Sequence, residues 1–204
     1  MAQRTTDQLP LVSAAVNHPL LYVVRHGATE WSESGQHTGR TDIPLLPEGE
    51  LQAQETSKLL SDIDFSLVLC SPLHRAQRTC ELAGLRPDAV LDNDLYEWDY
   101  GDYEGLTTAT IRDTEPGWTI WSGTCPNGET IQQVSARADR VIARVRSQSG
   151  NAIVFAHGHF LRVLTARWCE LAPVEGQRFV LDPATLSLLG WERETPAVLR
   201  WNSR

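Results

Sequence analysis

Apolar and polar positions along this chain fall into two alternating kinds of block. Short unbroken apolar runs come first: "LLYVV" at Leu20–Val24, "FSLVLC" at Phe65–Cys70, "NAIVFA" at Asn151–Ala156 and "TLSLLGW" at Thr185–Trp191. Runs of this length without polar alternation predict strands buried on both faces. Between them lie stretches with helical spacing. "PEGELQAQETSKLL" starts at Pro47 with acidic residues in its first turn, as a helix start should. "SPLHRAQRTCELAG" predicts a helix capped by Ser71, with Pro72 at its first position and Gly84 ending it. "NGETIQQVSARADRVIARVRS" places Ile131, Val134, Ala138, Val141, Ile142 and Val145 on one helical stripe. "GHFLRVLTARWCEL" reads as a helix stopped before Pro173. Strands alternating with helices predict an α/β three-layer sandwich, its central sheet mostly parallel and flanked by helices. No repeat, low-complexity tract or flexible linker interrupts the pattern, so a single domain is expected over 1–204. Met1 to about Asn17 is expected to be a loose leader. Its apolar character is broken by Asn17, His18 and Pro19, and no run approaches a membrane span.

In layered α/β domains, ligands bind outside the carboxyl ends of the strands. Three such ends here carry "RHG" (Arg25–Gly27), "SPLHR" (Ser71–Arg75) and "HGH" (His157–His159). Guanidinium forks and helix N-termini suit a phosphate, and neutral imidazole is a nucleophile or base near neutral pH. Gly27 and Gly158, lacking a Cβ, would leave the backbone open to an anion. From the residues alone, other readings stand. Arg25 and His26 could form a strand-end contact, Arg75 could cap a neighbouring helix, and His157 with His159 could be an i, i+2 metal pair. Composition narrows the field further. The 204 residues are 41% hydrophobic and 22% charged with a net charge of −8, which speaks against nucleic acid or an anionic membrane as partner. A local arginine cluster can still bind an anion. Cys70, Cys80, Cys125 and Cys169 show no metal-ribbon spacing and are expected to be reduced, mostly buried thiols of a cytoplasmic protein.

Taken together and in order, "RHGATEW", "HTGRTDIPLLPEGE", "SPLHRAQRT", "YEWDYGDYEG" and "FAHGHFLR" resemble the histidine phosphatase superfamily, whose members are phosphoglycerate mutase-like. "WTIWSGTCPNGETIQQV" is similar to a branch holding acid phosphatases and sedoheptulose-bisphosphatase-like proteins. The resemblance implies a phosphohistidine on His26, with Arg25, Arg75 and His157 around the phosphoryl oxygens. Glu97 would be the general acid and then base; periodicity alone could not choose it over Asp99, Asp102 or Glu104. Thr29, Ser32, Thr38, Gly39, Gly158 and His159 are the expected substrate-binding residues. Glu104 is expected to be a structural hydrogen-bonding residue. His37 stays open between pocket and surface, and Trp98, Tyr100, Trp118 and Trp121 between pocket wall and the core of a small lid around 98–129. No metal and no cofactor are implied, because arginine and histidine supply the positive charge.

The function implied is hydrolysis of small phosphate monoesters, sugar phosphates or phosphorylated acids, by a metal-independent phosphatase. The alternatives are a cofactor-dependent phosphoglycerate mutase and, more remotely, a non-catalytic phospholigand-binding module. Mutases of the family carry a longer segment with extra basic residues between the acid and the second histidine. Here Glu97 to His157 holds no lysine, and its arginines are expected mostly on the long helix. The partner expected is a small phosphorylated metabolite, and a homodimer is an assembly the resemblance allows.

Overall fold

The computed structural model describes residues 18–204, so the expected leader, Met1 to about Asn17, lies outside the described residues. Strands β1 (Leu21–Arg25), β2 (Leu67–Cys70), β3 (Val90–Leu91), β4 (Ala152–Ala156), β5 (Leu186–Glu192) and β6 (Thr195–Ser203) form one sheet in the order β3-β2-β4-β1-β5-β6. The first four in chain order pair parallel, while β5 runs antiparallel to both β1 and β6. The sheet is therefore mixed, and the expected parallel character holds only across its β3-β2-β4-β1 half.

Successive side chains of a strand point to opposite faces. Leu21, Val23, Ala152 and Val154 thus join one core, and Tyr22, Val24, Ile153 and Phe155 the other. Helices α5 (Ile131–Arg146) and α6 (Gly158–Trp168) close the first core with Val134, Ala138, Val141, Val145, Phe160 and Trp168. Helices α2 (Pro47–Leu60) and α3 (His74–Leu82) close the second with Leu60, Ala76 and Cys80. Both faces of β4 are fully covered, which is why its sequence reads as an unbroken apolar run. Each large apolar side chain buried here is worth about 1.5–3 kcal/mol.

Two boundaries near the site differ from expectation. The strand predicted over Phe65–Cys70 begins at Leu67. Helix α3 begins at His74 with Leu73 at its N-cap, not at Pro72 with Ser71 as cap. The Ser71 hydroxyl instead faces His157, as described below. Gly84 does end the helix, in the left-handed region at a φ of 82°. Strand β6 was not foreseen. It carries Pro196 and is half exposed, a pattern tolerated only at a sheet edge. Two short helices, α1 (Glu30–Ser34) and α4 (Thr108–Thr114), stand over the carboxyl edge of the sheet.

Candidate active site

Because β1, β2 and β4 run parallel, their carboxyl ends share one edge, and Arg25–Gly27, Ser71–Arg75 and His157–His159 converge there. A cavity of about 420 Å³ opens at this edge. Arg25, His26, Arg75, Glu97, Gly158 and His159 line it together with Thr108, Arg112 and Trp121.

The His26 ring is held with Nδ1 2.8 Å from the carbonyl oxygen of Gly27. A carbonyl only accepts, so Nδ1 carries the proton and Nε2 keeps its lone pair. Burial pushes the His26 pKa well below the usual imidazole value, and the Arg75 and Arg25 guanidiniums push it the same way. Near neutral pH the ring is therefore a neutral nucleophile. His157 lies beside it, wholly buried behind the cavity wall, with ring centroids 5.2 Å apart. Its Nε2 is 2.7 Å from Ser71 Oγ. Burial likewise lowers its pKa well below the usual value, with Arg75 and His26 adding to the effect.

The arginines are fixed by backbone carbonyls. Arg75 donates from Nη1 to Thr41 and from Nη2 to Gly39, both at 2.8 Å. Arg25 donates from Nη1 to Leu181 at 2.5 Å. Among the described residues, Arg25 Nε, Arg75 Nε and His157 Nδ1 are buried with no partner. A buried polar atom without a partner costs about 1–3 kcal/mol, so three around one imidazole need an explanation. A phosphoryl group at His26, with its ring of acceptor oxygens, supplies one.

Glu97 is buried on the same cavity. Its Oε1 accepts from the N–H groups of Trp98 (2.9 Å) and Phe160 (2.8 Å), and its Oε2 from His159 N–H alone (3.1 Å). Oε1 has both lone pairs engaged, while Oε2 keeps one free for a proton. The first turn of α6 thus positions the carboxylate that the loop after β3 delivers.

The other expected site residues divide. Ser32, Thr38, Gly158 and His159 line the cavity. Thr29 and Gly39 do not. Thr29 is the fully buried N-cap of α1, in a reciprocal capping box with Ser32. Gly39 sits at a φ of 56° against the Glu104 carboxylate and serves through its carbonyl, which holds Arg75. Gly27 is a further correction. A Cβ there would collide with the Gly49 backbone, so its missing side chain admits α2 rather than an anion. Glu104 is structural as expected, accepting from the backbone N–H groups of Arg40 (2.6 Å) and Thr41 (2.9 Å).

His37 belongs to the pocket, 3.2 Å from Thr108 Oγ1, with its pKa lowered by burial to about 4. Tyr100 and Trp121 are wall residues, and the Tyr100 hydroxyl pairs with His159 Nδ1 at 2.6 Å. Trp98 and Trp118 are core.

Three participants escaped the sequence reading. In the sequence Ser71 reads as a helix cap. Arg112, expected among arginines placed mostly on the long helix, stands on α4 and lines the cavity. Arg162 lines it from α6. Its spacing of four from Gly158, the same face of a helix, was the available signal.

Comparison with known proteins followed the same direction. The sequence model described as "Histidine phosphatase superfamily (branch 1)" matches residues 21–204. An acid phosphatase of Mycobacterium tuberculosis is 43% identical over 180 residues, spanning 86% of this chain and 88% of that protein. A sedoheptulose 1,7-bisphosphatase of Saccharomyces cerevisiae is 40% identical over 186 residues, 75% of this chain and 68% of that one. A solved structure of a Mycobacterium tuberculosis open reading frame superposes with a TM-score of 0.86 at 39% identity, covering 91% of this chain and 97% of its own.

Proposed function

Since this chain belongs to the histidine phosphatase superfamily, we propose that it is a metal-independent phosphatase of small phosphate monoesters, working through a phosphohistidine on His26. The observation that carries the reading is the cluster of three unpartnered buried nitrogens, Arg25 Nε, Arg75 Nε and His157 Nδ1, around a neutral imidazole whose Nε2 lone pair is free.

In the first step the Nε2 lone pair of His26 attacks phosphorus and the P–O bond to the leaving group breaks. The Glu97 carboxyl gives its proton to the departing oxygen, and an alcohol leaves. In the second step Glu97, now a carboxylate, takes a proton from water. The water oxygen bonds to phosphorus, the P–N bond breaks and its electron pair returns to Nε2. The sum is monoester plus water giving alcohol plus phosphate, with both residues restored. Arg25, Arg75 and His157 stabilise the charge on the phosphoryl oxygens as it redistributes. Ser71 Oγ lies 2.7 Å from His157 Nε2; in this mechanism its hydroxyl donates there, so that the proton stays on Nδ1 and this atom donates to the phosphoryl oxygens. Ser32, Thr38, Gly158 and His159 contact the rest of the substrate, and residues 98–129 form a small lid over a single domain. Fixed guanidiniums do the work a metal would do elsewhere. Among the described residues no group of three or more His, Cys, Asp or Glu is placed to hold a metal.

Hydrolysis is favoured over mutase chemistry by two relatives at 40% and 43% identity that carry phosphatase names. A cytoplasmic location fits, and no helix among the described residues is long and apolar enough to cross a membrane. A homodimer belongs to the same reading, and analytical sedimentation tests it.

The deciding experiment measures phosphate release from a metabolite panel in EDTA, with 2- to 3-phosphoglycerate interconversion followed in parallel, alongside 32P labelling of the chain. Metal-independent release with labelling that His26→Ala abolishes is expected. Interconversion without release would replace the phosphatase by a mutase. Turnover or labelling retained in His26→Ala would remove the nucleophile assignment.

A further inference from the structure

An arginine is rarely buried unless something claims it. Arg137 on α5 is 7% exposed, yet it does not line the cavity. Its five N–H donors all find acceptors. Nε and Nη2 donate to the Glu129 carboxylate at 2.9 and 2.8 Å. Nη1 donates to the carbonyls of Asp94 (2.6 Å) and Tyr96 (2.9 Å), and Nη2 also to that of Glu97 (3.4 Å). The guanidinium lies 5.0 Å from the Phe160 ring centroid. Glu129 in turn accepts from the Asp99 N–H at 3.1 Å, and its carbonyl accepts from Trp98 Nε1 at 2.9 Å. These contacts bracket one side chain. They grip the chain on both sides of Glu97, and they pack the ring of Phe160, whose N–H holds Glu97 Oε1. Charge is met as well. Glu129 neutralises Arg137, so no unpaired cation is buried behind the acid. The neighbouring arginines of α5 behave differently. Arg140 and Arg144 reach only the side chains of Asp94 and Asp92, in ordinary surface pairs.

We infer that Arg137 and Glu129 are positioning residues for the hydrolysis: as a pair they hold residues 94–99 so that the Glu97 carboxyl meets the leaving oxygen, and neither touches substrate. This inference rests on the phosphatase reading and on Glu97 as its general acid.

Two substrates that differ in their need for a proton test it. One is the alkyl monoester turned over fastest in the metabolite panel, and the other is p-nitrophenyl phosphate. Arg137→Lys keeps the charge but replaces the planar fork with a compact ammonium of three donors. A catalytic group displaced by about 1 Å can cost about 10²-fold in rate. kcat/KM for the alkyl monoester should therefore fall about 10–100-fold in Arg137→Lys. p-Nitrophenyl phosphate, whose phenolate leaves without a full proton, should lose less than about threefold. KM for the alkyl monoester should stay within about twofold, because no substrate contact is removed. Glu129→Gln keeps the side chain's shape and should show the same split, and it carries the test if Arg137→Lys does not fold by circular dichroism. In a Glu97→Gln background, Arg137→Lys should cost the alkyl monoester less than about threefold more, since the acid it positions is gone. Arg140→Gln, on the exposed face of the same helix, should leave both substrates unchanged. Equal losses on the two substrates would overturn the inference and leave the pair as scaffold. So would a folded Arg137→Lys whose kcat/KM for the alkyl monoester is unchanged. Failure of the phosphatase reading looks different: the unmodified chain would release no phosphate from p-nitrophenyl phosphate or any member of the panel.

Discussion

Replacing Glu97 by glutamine removes the proton that the leaving group needs while nearly preserving shape. General acid catalysis contributes about 10²–10⁴-fold, or roughly 3–5 kcal/mol of barrier. The loss should depend on the leaving group. An alkyl phosphate such as glycerol 3-phosphate needs the full proton and should lose about 10²–10⁴-fold in kcat/KM. p-Nitrophenyl phosphate expels a stable phenolate and should lose less than about tenfold. Its phosphoenzyme should accumulate, because the same residue activates water in the second step. The substitution also has a structural cost. The amide oxygen can serve the Trp98 and Phe160 N–H groups, but its NH₂ then faces the His159 N–H that Oε2 accepted at 3.1 Å. One unpaired donor costs about 1–3 kcal/mol, which lowers Tm by roughly 2–4 °C per kcal/mol in a chain of this size. Steady-state kinetics on both substrates, a rapid-quench burst and a melting curve check these together. Equal losses on the two substrates would refute the acid role and leave Glu97 as a residue that positions the first turn of α6.

Ser71→Ala strips His157 Nε2 of its 2.7 Å partner; kcat/KM should fall about tenfold, the scale of one buried hydrogen bond, while the fold survives by circular dichroism. His37 has a folded pKa of about 4 against an unfolded 6.5, so the unfolded state binds the extra proton first, and stability present above pH 6.5 is withdrawn as pH falls towards 4. The full withdrawal is about 3 kcal/mol, and urea titrations of His37→Gln should show a flatter slope across that window. Gly27→Ala drives a Cβ into the Gly49 backbone, where nothing flexible can yield, and should cost about 3 kcal/mol or more, seen as a Tm drop of roughly 6–12 °C.

The parts of the site that the sequence made legible are those where one position announces its own role. An apolar run ends at Val24 and another at Ala156, and the charged or imidazole residue that follows each is delivered to the carboxyl edge of the sheet. Glu97 was reached through family resemblance, because four acids in eleven residues look alike in one dimension. In the fold only Glu97 meets the N–H groups of His159 and Phe160 across more than sixty residues of chain. Thr29, which the resemblance places among the substrate-binding residues, is engaged locally in the fold, where its hydroxyl forms the capping box with Ser32.

Periodicity by itself determined the layered α/β pattern, the buried strands, the stripe of α5 and the three strand ends where binding chemistry gathers. These depend on spacings of two to four residues, which the backbone geometry of helix and strand enforces locally. Tertiary structure alone decided that Ser71 faces His157 eighty-six residues away, that Gly27 makes room for Gly49, and that Arg112 and Arg162 look into one cavity. It also decided that β5 runs against the parallel strands and that β6 returns antiparallel to β5. Such contacts form only when long loops close, and their partners are selected by shape and charge in three dimensions, for which spacing along the chain carries no signal.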